Sequence, residues 1–407
     1  MMKQRLIYLT TVLCSILFLL VGNWIASDDM PQFEGIYQDR SVVARVEGIL
    51  SRQSAAQEIG GIRYGRGTNI LFAAEILDGE EKGQLVTAIQ NVDPESPTQL
   101  REVKAGDKII LAYNPVEGAE VVWMLGEYVR TDALAVFGLI FAAALVLFGR
   151  RKGLNTLLSL GFTCLAIFVV FIPSILSGKN IYLWSVITCV YVIAMTLLIV
   201  EGPNQKCLCA SIGCCAGLAV SGGLTLLCDH FLQLTGMVDE NAMYLKYLVE
   251  DDPIDLKAII FAAILVGAMG AIMDVAMSLA SSLCELHEKA PECPAPVLFS
   301  SGITIGRDMM GTMANTLVLA YIGSSLSLTL LLVAYSRSTV ALLNREMIVV
   351  EILQALVGSA GILLTIPLTS LISAIIYTRA SRHHESAAPP AAPQDLPPAA
   401  EKDCGQL

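Results

Sequence analysis

The chain of 407 residues carries little charge, and this shortage excludes several classes of protein. Only 15% of its residues are Asp, Glu, Lys or Arg, whereas soluble domains typically contain about 25%. The net charge is −11, and the short run Arg150-Arg151-Lys152 is the one cluster of basic residues in the sequence. Nucleic-acid binding is therefore not expected, because phosphate groups are neutralised by patches of Lys and Arg.

Motifs for catalysis and for metal binding are also missing. The chain has 4 His and no His-Glu-x-x-His pattern, so the helix of zinc proteases is excluded. It has no Gly-rich loop ending in Lys, which argues against ATP binding within the chain. None of its 11 Cys lies between residues 15 and 163, so no disulfide is expected there. The clustered pairs Cys207/Cys209 and Cys214/Cys215 are interpreted as small packing residues. We expect no cofactor and no metal.

Long apolar runs are abundant instead, and the mean hydropathy is +0.63. A helix needs about 20 apolar residues to span a bilayer. Eight segments approach that length, and they predict an α-helical polytopic membrane protein. The predicted segments are Leu6–Ala26, Asp132–Phe148, Leu154–Leu176, Ile181–Val200, Leu208–Phe231, Leu256–Ser281, Met309–Ala334 and Ile348–Tyr377.

Most basic residues that flank these segments fall on one side of the membrane if the eight segments alternate in direction. The residues on that side are Lys3, Arg5, the Arg150 cluster, Lys206, Arg379 and Arg382. The positive-inside rule makes that side cytoplasmic, so both termini are expected in the cytoplasm. The first segment is interpreted as an uncleaved anchor, because Asn23-Trp-Ile-Ala26 is a poor signal-peptidase site.

Four regions are predicted along the chain. Residues 1–27 form the anchor, 28–130 an extracytoplasmic β-rich domain, 131–379 a membrane domain of seven helices, and 380–407 a disordered Pro/Ala-rich tail. Within residues 36–129, turn residues separate five short runs of strand-forming residues, which predicts a small barrel similar to an OB-fold. The predicted strands are Val42–Leu50, Asn69–Leu77, Gln84–Val92, Asp107–Tyr113 and Glu120–Tyr128.

One acidic residue lies inside the sixth apolar segment. Gly267, Gly270, Asp274 and Ser278 follow steps of three or four, so they share one helix face. A carboxylate at this depth costs about 2.5 kcal/mol or more unless it is paired, hydrated or neutral. Asp274 is therefore expected to point into the bundle. Two interpretations remain open, a ligand for an ion, proton or substrate, and a structural acid bonded to other polar side chains.

The seventh segment is preceded by two charged residues and continues as a polar stripe. Arg307 and Asp308 are adjacent, so they do not face each other on a helix. We expect Arg307 to pair with Asp274. Asn315 and Thr316 extend the same stripe inward.

Breaks in helical geometry are predicted near the ends of the membrane domain. Gly323-Ser-Ser325 is expected to interrupt the seventh segment, and Pro367 to kink the eighth. Thr365 lies on a polar face of the eighth segment, whose outer mouth carries Glu346 and Glu351. Three neighbouring helices with polar faces and broken geometry are typical of transporter sites.

Three motifs carry a family resemblance. Residues Gly267–Ser278, Gly306–Thr316 and Ala320–Ser325 are similar to the YibE/F-like family of bacterial membrane proteins, and the resemblance covers roughly residues 130–377. The N-terminal anchor and the β-rich domain resemble the longer members. The resemblance implies a multi-pass protein of the bacterial plasma membrane, and it carries no catalytic residues over to this chain.

The expected function is transport or permeation of an ion or small solute through the bilayer. The predicted site residues are Asp274, Ser278, Arg307, Asp308, Asn315, Thr316 and Thr365. The alternative is a scaffold or accessory protein whose residues 36–129 bind an envelope protein. An intramembrane enzyme is disfavoured, because no Ser–His or Asp–Asp arrangement stands out in the sequence.

Overall fold

The computed structural model describes residues 2–28, 41–59, 62–92, 101–114, 122–238, 240–248, 253–335 and 338–387. The chain divides into two compact units. One unit, Gln32–Arg150, contains a small β-barrel and the helix segment that follows it. The other combines Met1–Pro31 with Arg151–Leu407 and is a helical bundle.

The barrel contains five strands, as the sequence predicted, and closes on itself in the order β1-β2-β3-β5-β4. All neighbouring strands pair antiparallel except β3 and β5, which are parallel. A five-stranded closed barrel is also the architecture of OB-folds. The strands are β1 (Ser41–Ile59), β2 (Ile62–Ile76), β3 (Leu85–Val92), β4 (Lys108–Tyr113) and β5 (Trp123–Tyr128).

Alternating side chains fill the barrel, because successive residues of a strand point to opposite faces. Ile70, Phe72, Ala74 and Ile76 of β2 are all fully buried. A polar turn precedes β4, and Asp107 stabilises it by accepting a hydrogen bond from the backbone N–H of Lys104 at 2.8 Å.

Six helical runs of the described chain are long and apolar enough to cross a membrane. They are α1 (Met2–Ala26), the run from α2 (Thr131–Leu165) to α3 (Ile172–Leu176), α4 (Ile181–Val200), α5 (Gln205–Leu232), α7 (Leu256–Lys289) and α11 (Glu346–Ala387). A bent pair, α8 (Ala295–Ser324) and α9 (Leu326–Tyr335), makes seven if it is one span. The short helices are α6 (Glu240–Lys246) and α10 (Thr339–Leu343).

The predicted count of eight spans is not confirmed. The second and third predicted segments belong to a single helical run of 46 residues, Thr131–Leu176. Arg150 interrupts this run with non-helical backbone angles, φ 47° and ψ −122°. A π-helical turn, Ala166–Phe171, lies further along.

The first helix is packed into the helical unit along its length. The rings of Phe18 and Tyr191 stack with centroids 3.8 Å apart. Near the end of α1, a Cβ added to Gly22 would lie 3.0 Å from Val170. The Ser177 hydroxyl donates a hydrogen bond to the Ala26 carbonyl at 2.6 Å.

Helix α11 lies at the centre of the bundle and contacts α5, α7 and α8. Small residues of α5 face Thr and Gly residues of α11, with Gly213 against Thr369, Gly217 against Thr365 and Ser221 against Gly361. A Cβ atom added at Gly213, Gly217 or Gly361 does not fit unless the opposing side chain shifts. The small residues of α5 therefore allow close packing, and α11 is the partner helix.

Helix α11 continues to Ala387, eight residues into the predicted tail. The residues that follow Arg379 carry no helix breaker before Pro389 and Pro390. The remainder of the predicted tail, 388–407, lies outside the described residues.

Candidate functional site

The structure separates the seven residues that the sequence grouped into one site. Thr365 is fully buried between α5 and α11, where its hydroxyl donates to the Gly361 carbonyl at 2.7 Å. The other six side chains are exposed on the surface of the helical unit: Asp274, Ser278, Arg307, Asp308, Asn315 and Thr316.

The expectation that Asp274 points into the bundle is wrong for the single chain. Helix α7 buries its larger apolar side chains, including Ile272, Val275 and Leu279. Burying apolar surface stabilises the fold most, so the opposite face, with Gly270 and Asp274, is left outside. We call the exposed set the α7/α8 polar face: Gly270, Asp274 and Ser278 of α7 with Arg307, Asp308, Gly311 and Asn315 of α8.

The predicted pair between Asp274 and Arg307 is also absent, since neither residue has an ion pair among the described residues. Helices α7 and α8 are antiparallel, with Gly267 against Tyr321 at one end and Gly302 against Leu283 at the other. At 1.5 Å per residue, this register places Arg307 about 8 Å from Asp274 along the helix axes.

The predicted break in the seventh segment is confirmed at Ser325. Helix α8 ends at Ser324, and α9 leaves at an angle of 65°. The Ser324 and Ser325 hydroxyls both donate to the Tyr321 carbonyl, at 2.8 and 2.9 Å. Side-chain donors of this kind compete with the backbone hydrogen bonds of a helix, and Gly323 lowers the cost of the bend.

Two polar groups without hydrogen-bond partners lie beside this break. The Tyr321 hydroxyl and the Oε2 atom of Glu351 are buried, and neither has a partner within the part of the chain that the structure describes. Glu351 lies close enough to interact with both Tyr321 and Ser325. We call Tyr321, Ser325 and Glu351 the helix-break cluster. Sequence reasoning placed Glu351 at the mouth of its helix but missed Tyr321, whose position at the end of a Gly- and Thr-rich helix was the available signal.

The second acid at the start of α11 has a different environment. The Oε1 atom of Glu346 accepts hydrogen bonds from the backbone N–H groups of Thr235 and Gly236 at 2.7 and 2.6 Å. Its Oε2 atom accepts from the Thr235 hydroxyl at 2.7 Å. Glu346 therefore fixes the loop after α5, whereas Glu351, five residues later, has unused bonding capacity.

A cavity of about 750 Å³ lies between α1, the part of α2 that follows Arg150 and the end of α4. Its polar groups already bond to one another. The Tyr8 hydroxyl donates to Asn155 Oδ1 at 3.2 Å, and Asn155 Nδ2 donates to the Ile199 carbonyl at 2.9 Å. The cavity has the size of a ligand pocket, but these polar groups do not require a ligand.

A family model described as YibE/F-like protein matches residues 137–379, more than half of the chain. The chain belongs to the YibE/F-like family. No curated protein and no solved structure matches it. The α7/α8 polar face and the helix-break cluster both lie within the matched YibE/F-like region, and the β-barrel lies outside it.

In the YibE/F-like region, the described residues place oxygen atoms that could act as ligands at the helix break. They form no cluster of thiolates or imidazoles. Within the described ranges, no group of three or more His, Cys, Asp or Glu side chains is placed to hold a metal ion. Cys207, Cys209 and Cys214 are buried in the apolar core. A carboxylate beside a phenol and a hydroxyl suits a proton or a hard cation that prefers oxygen ligands.

Proposed function

We propose that this YibE/F-like protein is a transporter or permease-like protein for an ion or small solute. The proposal places it in the bacterial plasma membrane with both termini in the cytoplasm and the barrel outside. The observation that carries it is the helix-break cluster, where a 65° bend between α8 and α9 lies beside the unpartnered carboxylate oxygen of Glu351.

Broken helices support this proposal for a physical reason. Backbone at membrane depth leaves its helical geometry only where protein or water satisfies the freed groups, and many transporters place such breaks at the substrate site. An acid with a buried oxygen in a membrane helix is also costly to keep, which supports a functional role for Glu351. The formal charge of −11 for the whole chain favours cations as the transported species.

Ion flux through liposomes that contain the full-length protein tests the proposal. Gradients of Na⁺, K⁺ and protons are applied in turn, and the flux of each is followed with an ion-sensitive dye. We expect flux above that of empty liposomes for at least one ion, and a loss of roughly tenfold or more in Glu351→Gln. The matched control is Glu285→Gln, which removes an exposed acid that pairs with Lys289.

Thermal unfolding provides a second measurement on the same proteins. An ion present at a hundred times its dissociation constant stabilises the native state by about 2.7 kcal/mol. We expect this stabilisation in the wild type and in Glu285→Gln, and not in Glu351→Gln. Transport is contradicted if no ion moves and none stabilises the protein. Equal flux in Glu351→Gln and wild type would remove the helix-break cluster from the mechanism.

The role of Asp274 in transport stays a prediction. The ion flux of the variant Asp274→Asn is measured in the same assay. Asp274 lies on the α7/α8 polar face and Glu351 in the helix-break cluster. Loss of flux in Asp274→Asn with normal flux in Glu351→Gln would move the site to the polar face.

The alternative proposal is an accessory protein whose outer domain binds an envelope partner. The barrel favours it, because strands β1 to β5 form a closed sheet with a hydrophobic core of their own, in a unit separate from the bundle. Deletion of residues 36–129 would then abolish the cellular phenotype of the protein while Glu351→Gln leaves it unchanged. The opposite pattern would argue for transport.

A further inference from the structure

The α7/α8 polar face contains two charges that nothing in the single chain covers. Arg307 and Asp308 are exposed, and neither makes a hydrogen bond or an ion pair with the rest of the described chain. A Cβ added to Gly270 or to Gly311 would meet no atom within 4 Å. The face is therefore open along both helices.

The sequence places these charges just before the seventh segment, but their contact with α11 places them near the middle of a candidate span. Gly306 packs against Ile366, and Ile366 is near the middle of the candidate span Glu346–Arg379. At 1.5 Å per residue, Arg307 and Asp308 are within about 8 Å of the midpoint of that span. Charged side chains at this depth almost always face protein or enclosed water and pair with one another, because lipid solvates them poorly.

The two residues cannot neutralise each other within one helix. Neighbouring residues on an α-helix project about 100° apart, and side chains pair across three or four positions. Arg307 and Asp308 do, however, present one positive and one negative charge at nearly the same depth. A second copy in the same membrane orientation offers the complementary charges at that same depth.

We propose that a second copy of this chain covers the α7/α8 polar face in a two-fold symmetric dimer. The Arg307 guanidinium of each copy pairs with the partner's Asp308, so the contact is made twice. A two-fold symmetric dimer uses the same surface patch on both subunits, so that patch must be complementary to itself. Gly270 and Gly311 let the helices approach closely, as small residues do at membrane helix interfaces. This inference does not rest on the proposed transport activity.

Charge reversal tests the pairing. The variant Arg307→Asp places two acids on each copy, and Asp308→Arg places two bases on each copy. We expect the wild type to be a dimer when single-molecule photobleaching counts labelled copies in bilayers, and each single variant to be a monomer. The double variant R307D/D308R exchanges the two charges within one chain, so it is expected to restore the dimer.

Co-expression of the two single variants under different affinity tags gives a second test. Copies of Arg307→Asp should capture copies of Asp308→Arg, while neither captures its own kind. A matched control removes the exposed pair Glu285 and Lys289, which lies at the end of α7, about two turns beyond Ser278. The variant E285Q/K289Q is expected to dimerise like the wild type.

Some charge-reversal variants will fail to insert into the membrane or to fold. Variants that remove a charge without reversing it test the proposal in that case. We expect Arg307→Gln and Asp308→Asn to raise the dimer dissociation constant roughly tenfold or more, since each change removes two contacts. The proposal is overturned if the folded wild type is monomeric, in which case the face borders enclosed water. It is also overturned if the folded variants dimerise as tightly as the wild type.

Discussion

Two glutamates near the start of α11 show how much the surroundings of a side chain decide its role. Glu346 accepts three hydrogen bonds from Thr235 and Gly236. Glu351 has a buried oxygen without a partner among the described residues. In the sequence, both are acids near the start of the same predicted helix. The first is suited to holding a loop, and the second to binding a proton or a cation.

Replacement of Glu346 tests this assignment of roles. Glu346→Ala leaves two backbone N–H groups and one hydroxyl without their acceptor, and we expect it to lower the free energy of unfolding by about 1–3 kcal/mol. Ion flux through the folded protein should be preserved, because Glu346 is not part of the helix-break cluster. Denaturant unfolding measures the first effect and the liposome assay the second. Unchanged stability would show that water replaces the carboxylate.

Small residues set how closely the helices of the bundle approach one another. Gly213 and Gly217 of α5 are held against Thr369 and Thr365 of α11. Gly306 of α8 makes the same kind of contact with Ile366 of α11. In a membrane, where apolar side chains gain little by leaving lipid, such close packing is a main source of helix association.

Substitution of Gly217 tests the α5–α11 contact. A Cβ at this position overlaps Thr365 Oγ1, so Gly217→Ala is expected to destabilise the protein by about 1–3 kcal/mol. Gly223 is on the same helix and has open space beside it. Gly223→Ala should therefore be neutral or stabilising by up to about 1 kcal/mol, because Ala favours helix more than Gly does. Thermal unfolding of both variants in one detergent checks the contrast, which equal stabilities would contradict.

The whole molecule combines two units, each with its own core. The barrel core contains Phe72 and Trp123, and the core of the bundle contains residues such as Ile272 and Ile362. Because the cores share no residues, we expect each unit to lose its structure separately.

A core substitution in the barrel tests this independence. Phe72→Ala removes a fully buried aromatic side chain, which typically costs about 3–5 kcal/mol. We expect this loss of stability only in the unfolding of the barrel. The fluorescence of Trp123 monitors that unfolding in a protein in which Trp24 and Trp184 are replaced by Phe. The helical unit, followed by hydrogen exchange of α5, α7 and α11, should keep its protection. Equal loss of protection in both units would contradict two separate cores.

The amino-acid sequence by itself determined the elements of this protein. Runs of strand-forming residues between turns located all five strands, although β1 and β2 extend beyond the predicted Val42–Leu50 and Asn69–Leu77. Apolar runs located the long helices, because both signals are local. Gly323-Ser-Ser325 likewise indicated the break in α8. The predicted separation of the second and third segments agrees with the kink at Arg150, but Thr131–Leu176 counts as one candidate span, so the predicted number of eight is not confirmed.

Tertiary structure alone decided which face of each helix is buried and how the helices align. Steps of three or four grouped Gly270, Asp274 and Ser278 correctly on one face, but the larger apolar residues of α7 took the interior. The axial offset between Asp274 and Arg307 follows from contacts such as Gly302 with Leu283 and Gly267 with Tyr321. Those contacts join residues far apart in the chain, so no local pattern specifies them. The polar groups beside the helix break meet for the same reason, since Tyr321 and Glu351 come from different helices.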